Sequence, residues 1–556
     1  MCGINGFTFK DETFINRMNN ATKHRGPDGV GVFMDDHISL GHNLLAIVDK
    51  PENSSQPVVS DDYVLVYNGE GYNYQSLRET STRTNSDTEV IFAGLARHGI
   101  DFIARLDGMF AIAWYDRKKK KIFLARDSVG MKPIYYTMHR GHLLFSSEMR
   151  GLFVHDIPRN LNHNMAGIFF ALGYVPGRET LIKDLYKVMP GEVVEFDIEK
   201  KEIKTRWLSL DDRKNTEGNI NEFIGTAVNQ HTMGLRPFGL YLSGGLDSTI
   251  ILHELAKQRP EKIKTYTTRF DAKDEKYNQD ADMAKKLCQE YTIEHHEIFV
   301  REQDFIDAIE PSIVAMEEPR YNHSVPAYWL LAREAAKEVV VILNGSGGDE
   351  LFLGYSRYEV ARKVSERMRW PWWKIGYALK GVHDTLSQWA YVHAIQKNTS
   401  TISNYLRTFH YPRVEEPLAD SVNAIAEYDR LFWLADEEFL RTDKISMHFG
   451  MEGRFPLMAR SIRQIANSIS SKEKETSKKI LREIYKNKLP DYIINKPKTG
   501  WNAPVTEWMH GKFGEIVQDT LGKDFVKKEM YTLRDMKSML PLFSFKLWMR
   551  YFHIQS

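Results

Sequence analysis

Cysteine is nearly missing from this chain: Cys2 and Cys288 are the only two in 556 residues. That excludes a disulfide framework and any CxxC-type metal site. No apolar run approaches the ~20 residues that a membrane span requires, and no basic stretch followed by an apolar one marks a secretion signal at the start. A surplus of charge is missing too, with 75 Lys+Arg against 74 Asp+Glu and a formal net charge of +1. Neither a polybasic block nor a basic excess is present to grip nucleic acid or a membrane surface. The expected setting is cytoplasmic, with small molecules as partners and room for a homodimer. What is present is ample core material, 42% hydrophobic and 12% aromatic residues, in a chain long enough for two or more domains.

The first two hundred residues alternate short β-branched and aromatic runs with Gly, Asp and Asn turns: YVLVYNGE, GMFAIAWYD, KKIFLARD, HLLFSSE and GEVVEFDIEKKEIKTRW. These predict strands. The cluster DRKKKKIF, Asp116 to Phe123, reads as a solvated hairpin turn, and DTEVIFAGLARHG, Asp87 to Gly99, as a helix capped by Asp87 and stopped by Gly99. The polar, aperiodic stretch Ser209 to Glu222 marks a domain boundary. It separates residues 1–208 from residues 218–556. Beyond it, strands alternate with helices, which predicts a parallel sheet whose ligands lie beyond the strands' carboxyl ends.

Two glycine-rich turns follow apolar strands there. In YLSGGLDS, Tyr241 to Ser248, Gly244 and Gly245 let the backbone approach an anion, and Leu246 opens a helix whose N-terminus favours negative charge. Ser243 and Ser248 offer hydroxyls. Asp247 is out of place beside a phosphate unless a cation lies between them, which points to Mg²⁺. The chain has no G-x-x-x-x-G-K-[ST] string, so this is not a Walker-type loop. The second turn, NGSGGDELFLGY, brings Asn344 and Gly345, with Asp349 placed to share that metal. The pair EHHE, Glu294 to Glu297, reads as strand edge rather than a zinc site. RMRWPWWKIG, with Trp370 to Trp373, reads as a core patch or as a contact with an acceptor or a second subunit.

Taken together, SGGLDS and GxGGDE resemble the pyrophosphate-loop enzymes that attack ATP at its α-phosphate. The chain as a whole resembles the glutamine-hydrolysing asparagine synthetases. The matching strings run in order: MCGI, HRGPDG (His24 to Gly29), YNGEGYN (Tyr67 to Asn73), TNSDTEV (Thr84 to Val90), LDGMFAIAWYD (Leu106 to Asp116) and ARDSVGMKPIYY (Ala125 to Tyr136), then DKISMHFGMEGRFPLM (Asp443 to Met458), KKILREIYKNKLP (Lys478 to Pro490) and KPKTGW (Lys496 to Trp501). The match is weakest over Ser356 to Arg441. The resemblance implies an N-terminal nucleophile αββα sandwich that hydrolyses glutamine, followed by an α/β ATP domain. It implies asparagine synthesis from aspartate, ATP and Mg²⁺ through a β-aspartyl-AMP, releasing AMP and pyrophosphate.

On that reading the methionine is removed and Cys2 becomes the nucleophile, its own α-amine serving as base; the two groups' ordinary pKa values of ~8 and ~8.5 suit that exchange. Asn68 and the Gly69 N–H supply the oxyanion hole, Glu70 and Asp87 hold glutamine's amino group, and Lys498 stands near the α-phosphate. Tyr241, Ser243, Gly244, Gly245, Leu246, Asp247, Ser248, Asn344, Gly345 and Asp349 bind ATP and pyrophosphate, with Asp247 and Asp349 on the metal.

Two positions depart from the family. Leu44, in GHNLLAIVD, stands where an arginine normally grips glutamine's α-carboxylate, and Arg25 is the cation considered as a replacement. Ser346 stands where the asparagine-forming members carry a glutamate credited with taking a proton from the attacking ammonia, and serine is a poor base near neutral pH. Alternatives therefore remain: another carboxyl acceptor, such as a sugar acid or a natural-product precursor, an ammonia-dependent enzyme with an impaired glutamine site, or a non-enzymatic binder.

Overall fold

The computed structural model describes residues 2–79, 82–208, 218–320, 322, 324–360, 362, 421–498, 500–522 and 533–555. The tryptophan-rich segment Trp370 to Trp373 and most of the polar Ser209–Glu222 stretch lie outside the described residues.

The N-terminal half is built from strands β1 (Gly3–Phe7), β2 (Gly29–Met34), β3 (Ser39–Leu44), β4 (Val58–Val59), β5 (Tyr63–Gly71), β6 (Gly108–Asp116), β7 (Lys121–Arg126), β8 (Tyr135–His139), β9 (His142–Ser146), β10 (Leu185–Lys187), β11 (Glu192–Asp197) and β12 (Glu202–Trp207). They form two six-stranded antiparallel sheets, ordered β10-β8-β9-β1-β3-β2 and β12-β11-β7-β6-β5-β4. Side chains alternate along a strand, and both faces here are apolar. From β5 and β6, Val64, Val66, Ala111, Ala113 and Tyr115 meet Ile4, Leu40 and Phe145 of the other sheet. Leu65, Tyr67, Ile112 and Trp114 turn outward onto Ile91 and Leu95 of the helix Asp87–His98. On the far side, Phe7 and Leu144 pack with Ile15 and Met18 of the helix Glu12–Ala21. This period-two alternation produces the expected αββα layering. The lysine-rich cluster is the β6–β7 hairpin turn, with Lys120 at φ 49°.

One cap differs from expectation. Ser86, not Asp87, caps the helix, its side chain accepting from the Thr88 N–H. Asp87 occupies the first helical position and is released to accept from the Gly71 N–H and the Tyr67 hydroxyl, both at 3.0 Å.

The C-terminal half holds a five-stranded, wholly parallel sheet: β13 (Phe238–Tyr241), β14 (Lys264–Phe270), β15 (Glu294–Val300), β16 (Val341–Leu343) and β17 (Glu452–Arg454), in the order β15-β14-β13-β16-β17. Because β13 and β16 are neighbours pointing the same way, the two glycine-rich turns that follow them emerge side by side at one edge of the sheet.

Buried ion pairs tie the halves together. Lys187 Nζ meets Asp436 at 2.9 Å, and Asp436 also accepts from the Gly177 N–H at 2.7 Å. Arg25 pairs with Asp443 at 2.9 Å, and Arg454 with Glu70 at 3.1 Å. A buried charge that loses its partner is left with an uncompensated desolvation penalty. Asp436→Ala, which strands the Lys187 ammonium and the Gly177 N–H, is expected to destabilise the fold by about 3 kcal/mol; denaturant unfolding of variant and wild type checks it.

Candidate functional site

Two sites form, one in each half. In the first, strand register decides which side chains meet. Gly3 pairs with Asn43 across β1 and β3, so Cys2 lies against Leu44, and the two form a small apolar cluster with Ala46. The Cys2 N–H donates to Asn68 Oδ1 at 2.9 Å. Asn68 sits within β5, and its Nδ2 is buried without a hydrogen-bond partner, a donor held free beside Cys2 with the geometry that an oxyanion hole uses. Gly69 follows because a Cβ there would lie 2.1 Å from the Met109 carbonyl.

Glu70 and Asp87 are buried nearby, together with Glu452 of the other half. Burial raises Glu70 well above the carboxylate range, with Glu452 and Asp87 adding to it and Arg454 opposing. Burial raises Asp87 as well, against its hydrogen bonds from Gly71 and Tyr67. Glu70 Oε2 has no hydrogen-bond partner. This surplus of carboxylates over cations suits an incoming ammonium group.

The carboxylate end is different. Leu44 is 5% exposed and presents its methyl groups to Cys2 and Ala46. Arg25 does not supply a cation there. Its Nε donates to the Cys2 carbonyl at 3.1 Å, Nη1 to Glu148 and Asp443 at 3.0 and 2.9 Å, and Nη2 to Asp443 at 3.2 Å. Every nitrogen of the group is committed to the protein, which corrects the expectation that it was available.

In the second site, the two glycine-rich turns line one cavity of about 360 Å³. Tyr241, Ser243, Gly245, Leu246, Asp247, Ser248, Asn344, Gly345, Ser346, Asp349 and Lys498 all border it. Gly244 takes φ 61° at the turn, and its carbonyl accepts from Lys496 Nζ at 3.3 Å. The Ser243 and Ser248 hydroxyls lie 3.1 Å apart at the N-terminus of the helix Leu246–Gln258, so hydroxyls, free backbone N–H groups and the helix dipole converge on one anion site.

A residue to which the sequence assigned no role completes the arrangement. Lys478 Nζ lies between Asp247 and Asp349, 2.6 Å from Asp349 Oδ1 and in closer contact with Asp247 Oδ2. Lys498 meets Asp349 Oδ2 at 2.7 Å. Lys478 is aimed there by unusual backbone: Glu475, Ser477 and Lys478 have φ of 51°, 64° and 58°, left-handed values that cost non-glycine residues energy. Burial alone would raise Asp349, yet Lys478 and Lys498 hold it down to about 2. Burial raises Asp247, with Lys478 opposing. Gly348 is required because a Cβ there would lie 2.7 Å from the Asp247 carboxylate. No spacing rule marks Lys478, Glu438, Arg441 or Arg454; they reach their sites from distant strands and helices.

At the edge strand β15, Glu294, His296 and Glu338 come together, but Lys264 Nζ lies 3.6 and 3.0 Å from the two carboxylates and already supplies a positive charge.

The comparisons agree with both halves. The glutamine amidotransferase domain family matches residues 1–208, and the asparagine synthase family matches residues 219–544. Asparagine synthetase [glutamine-hydrolyzing] 1 of Bacillus subtilis is 27% identical over 95% of this chain and 92% of its own length. Putative asparagine synthetase [glutamine-hydrolyzing] 2 of Methanocaldococcus jannaschii is 32% identical over 66% of this chain and 79% of its own. The likeness to solved structures is loose: glutamine phosphoribosylpyrophosphate amidotransferase of Bacillus subtilis aligns over 53% of this chain and 65% of its own, at 16% identity and a TM-score of 0.29.

While Met1 is retained, burial pushes the Cys2 thiol up to about 11, with Glu452 and Glu70 adding to it and the amino terminus and the Leu45 N–H opposing. The thiol of such a chain therefore stays protonated at pH 8. Its alkylation by iodoacetamide should rise about tenfold per pH unit from pH 8 toward that value; mass spectrometry of the N-terminal peptide reads the rate.

Proposed function

The chain belongs to the asparagine synthase family, and from that premise we propose that it amidates L-aspartate, using ATP to form a β-aspartyl-AMP and releasing AMP and pyrophosphate. The observation that carries this reading is the meeting of Asp247, Asp349, Lys478 and Lys498 in the cavity that both glycine-rich turns line. A carboxylate resists attack by an amine because oxide is a poor leaving group. Attack of its oxygen on the α-phosphate, with pyrophosphate departing, turns it into a mixed anhydride from which AMP leaves readily.

This chain's own groups suit each part of that task. The Ser243 and Ser248 hydroxyls and the helix N-terminus at Leu246 hold the departing pyrophosphate, and Lys498 balances charge developing at the α-phosphate. The donor set also fits Mg²⁺. Asp247 Oδ1 is buried without a hydrogen-bond partner, and Asp247 and Asp349 already converge on a cation, the Lys478 ammonium. Bound there, Mg²⁺ neutralises negative charge on the phosphate oxygens. Residues 1–208 supply ammonia, with Cys2 attacking the glutamine amide, Asn68 and Gly69 receiving the oxyanion, and Glu70 and Asp87 binding the amino group.

Two observations qualify the substrates. Leu44 offers glutamine's α-carboxylate no charge, and Arg25 is committed elsewhere, so ammonium is the better nitrogen source. Ser346 favours a second reading, in which the same chemistry serves a different carboxyl acceptor.

Purified protein with ATP, Mg²⁺ and aspartate is expected to form asparagine faster with ammonium than with glutamine. Leu44→Arg should lower the KM for glutamine at least tenfold, as a restored ion pair of about 1.4 kcal/mol or more implies. Asparagine from neither donor would transfer the assignment to another acceptor.

A further inference from the structure

The loop position that carries serine, Ser346, has a carboxylate beside it. Glu438 reaches the cavity from the opposite wall and places Oε1 2.8 Å from Ser346 Oγ. A glutamate at position 346 would carry its own carboxylate oxygens two bonds beyond the Oγ position, so Glu438 puts an oxygen into the same small volume from another element. The other carboxylates lining the cavity are Asp247, Asp280 and Asp349, and each of these contacts a lysine ammonium on the phosphate side. Among the described residues bordering the cavity, Glu438 is thus the carboxylate on the Ser346 side. Arg441, one helical turn on, contacts Glu438 and orients it.

The hydrogen-bond count around Ser346 adds an independent constraint. Its hydroxyl has one hydrogen, yet Oγ lies 2.8 Å from Asn344 Oδ1 and 2.8 Å from Glu438 Oε1. That one hydrogen can be donated to either acceptor, so Ser346 bridges Asn344 and the Glu438 carboxylate and holds the carboxylate at the loop.

We propose that Glu438 is the proton acceptor of the amide-forming step, with Ser346 as the positioning residue that receives its hydrogen bond afterwards. The inference rests on the acyl-adenylate reading above. The nitrogen lone pair of ammonia forms the C–N bond at the acyl carbon. The bond from that carbon to the AMP oxygen breaks, and its electron pair leaves with AMP. The proton lost by the ammonium-like nitrogen passes to the Glu438 carboxylate.

The test separates adenylation from amide formation, on whichever acceptor supports ATP–pyrophosphate exchange by the wild-type protein. Failure of aspartate is then seen in the wild type, and failure of Glu438 only in the variants. Glu438→Gln is expected to keep exchange within about threefold of wild type while ammonium-dependent amide formation falls a hundredfold or more, the usual size of a general-base contribution. Hydroxylamine, whose nitrogen is much less basic than that of ammonia and so gives its proton up to water more readily once the C–N bond has formed, should lose far less. Adding Ser346→Glu to Glu438→Gln should restore amide formation at least tenfold, a rescue that a purely structural role would not allow. The proposal is overturned if Glu438→Gln leaves amide formation unchanged, if exchange falls in step with it, or if hydroxylamine suffers equally.

Discussion

A single buried guanidinium holds the strand that begins after Cys2 to the C-terminal half of the molecule. Arg25 fastens the carbonyl of Cys2, the Glu148 carboxylate and the Asp443 carboxylate at once. Three consequences follow from its geometry. The N-terminal strand, which as a free terminus would fray, is pinned at its first residue. The two halves share an ion pair that neither can satisfy alone. And the site loses the one cation near Cys2 that a sequence reading offers to glutamine. Arginine suits this because its planar fork reaches several acceptors without rearrangement; a lysine in its place would satisfy fewer of them.

The same principle organises the second site with the signs reversed. There, two carboxylates are held close by a lysine between them. Asp247 and Asp349 come from loops following neighbouring parallel strands, and without a cation their approach would be repulsive. Lys478 supplies that charge through a stretch of left-handed backbone, strain that the surrounding ion pairs hold in place. The Lys478 ammonium thus occupies the space between the two carboxylates.

Much of this was legible in the sequence where a local rule applies. The alternating strands of β5 and β6, the glycine stop at Gly99, the strand–turn–helix unit around YLSGGLDS and the strand-then-loop at VVVILNGSGG are written in short-range pattern, and all appear where expected. Asp87 was misread as a cap because Ser86 and Asp87 are both good capping residues, and only the Tyr67 and Gly71 partners decide between them. Lys478, Arg454 and Glu438 were invisible for a different reason. Their contacts span 231, 384 and 92 positions (478 − 247, 454 − 70 and 438 − 346), and no periodicity of helix or strand encodes such separations. Sequence singled out Leu44 and Ser346 as departures from the family it resembles but had no means of saying what surrounds them.

Those surroundings differ in kind. Next to Ser346 the Glu438 carboxylate enters from another element, so the cavity holds an acidic group beside the serine. Next to Leu44 the neighbours are Cys2 and Ala46, and the nearest arginine is spent on structure. A charge can be relocated only where another element already reaches the same volume with a charged side chain. The ATP half, assembled from loops and helices that converge on an open cavity, meets that condition. The nucleophile's half, where each position near Cys2 is fixed by strand register, does not. The two positions are therefore unequal: Ser346 has a carboxylate within hydrogen-bond distance, and Leu44 has only apolar partners in its cluster.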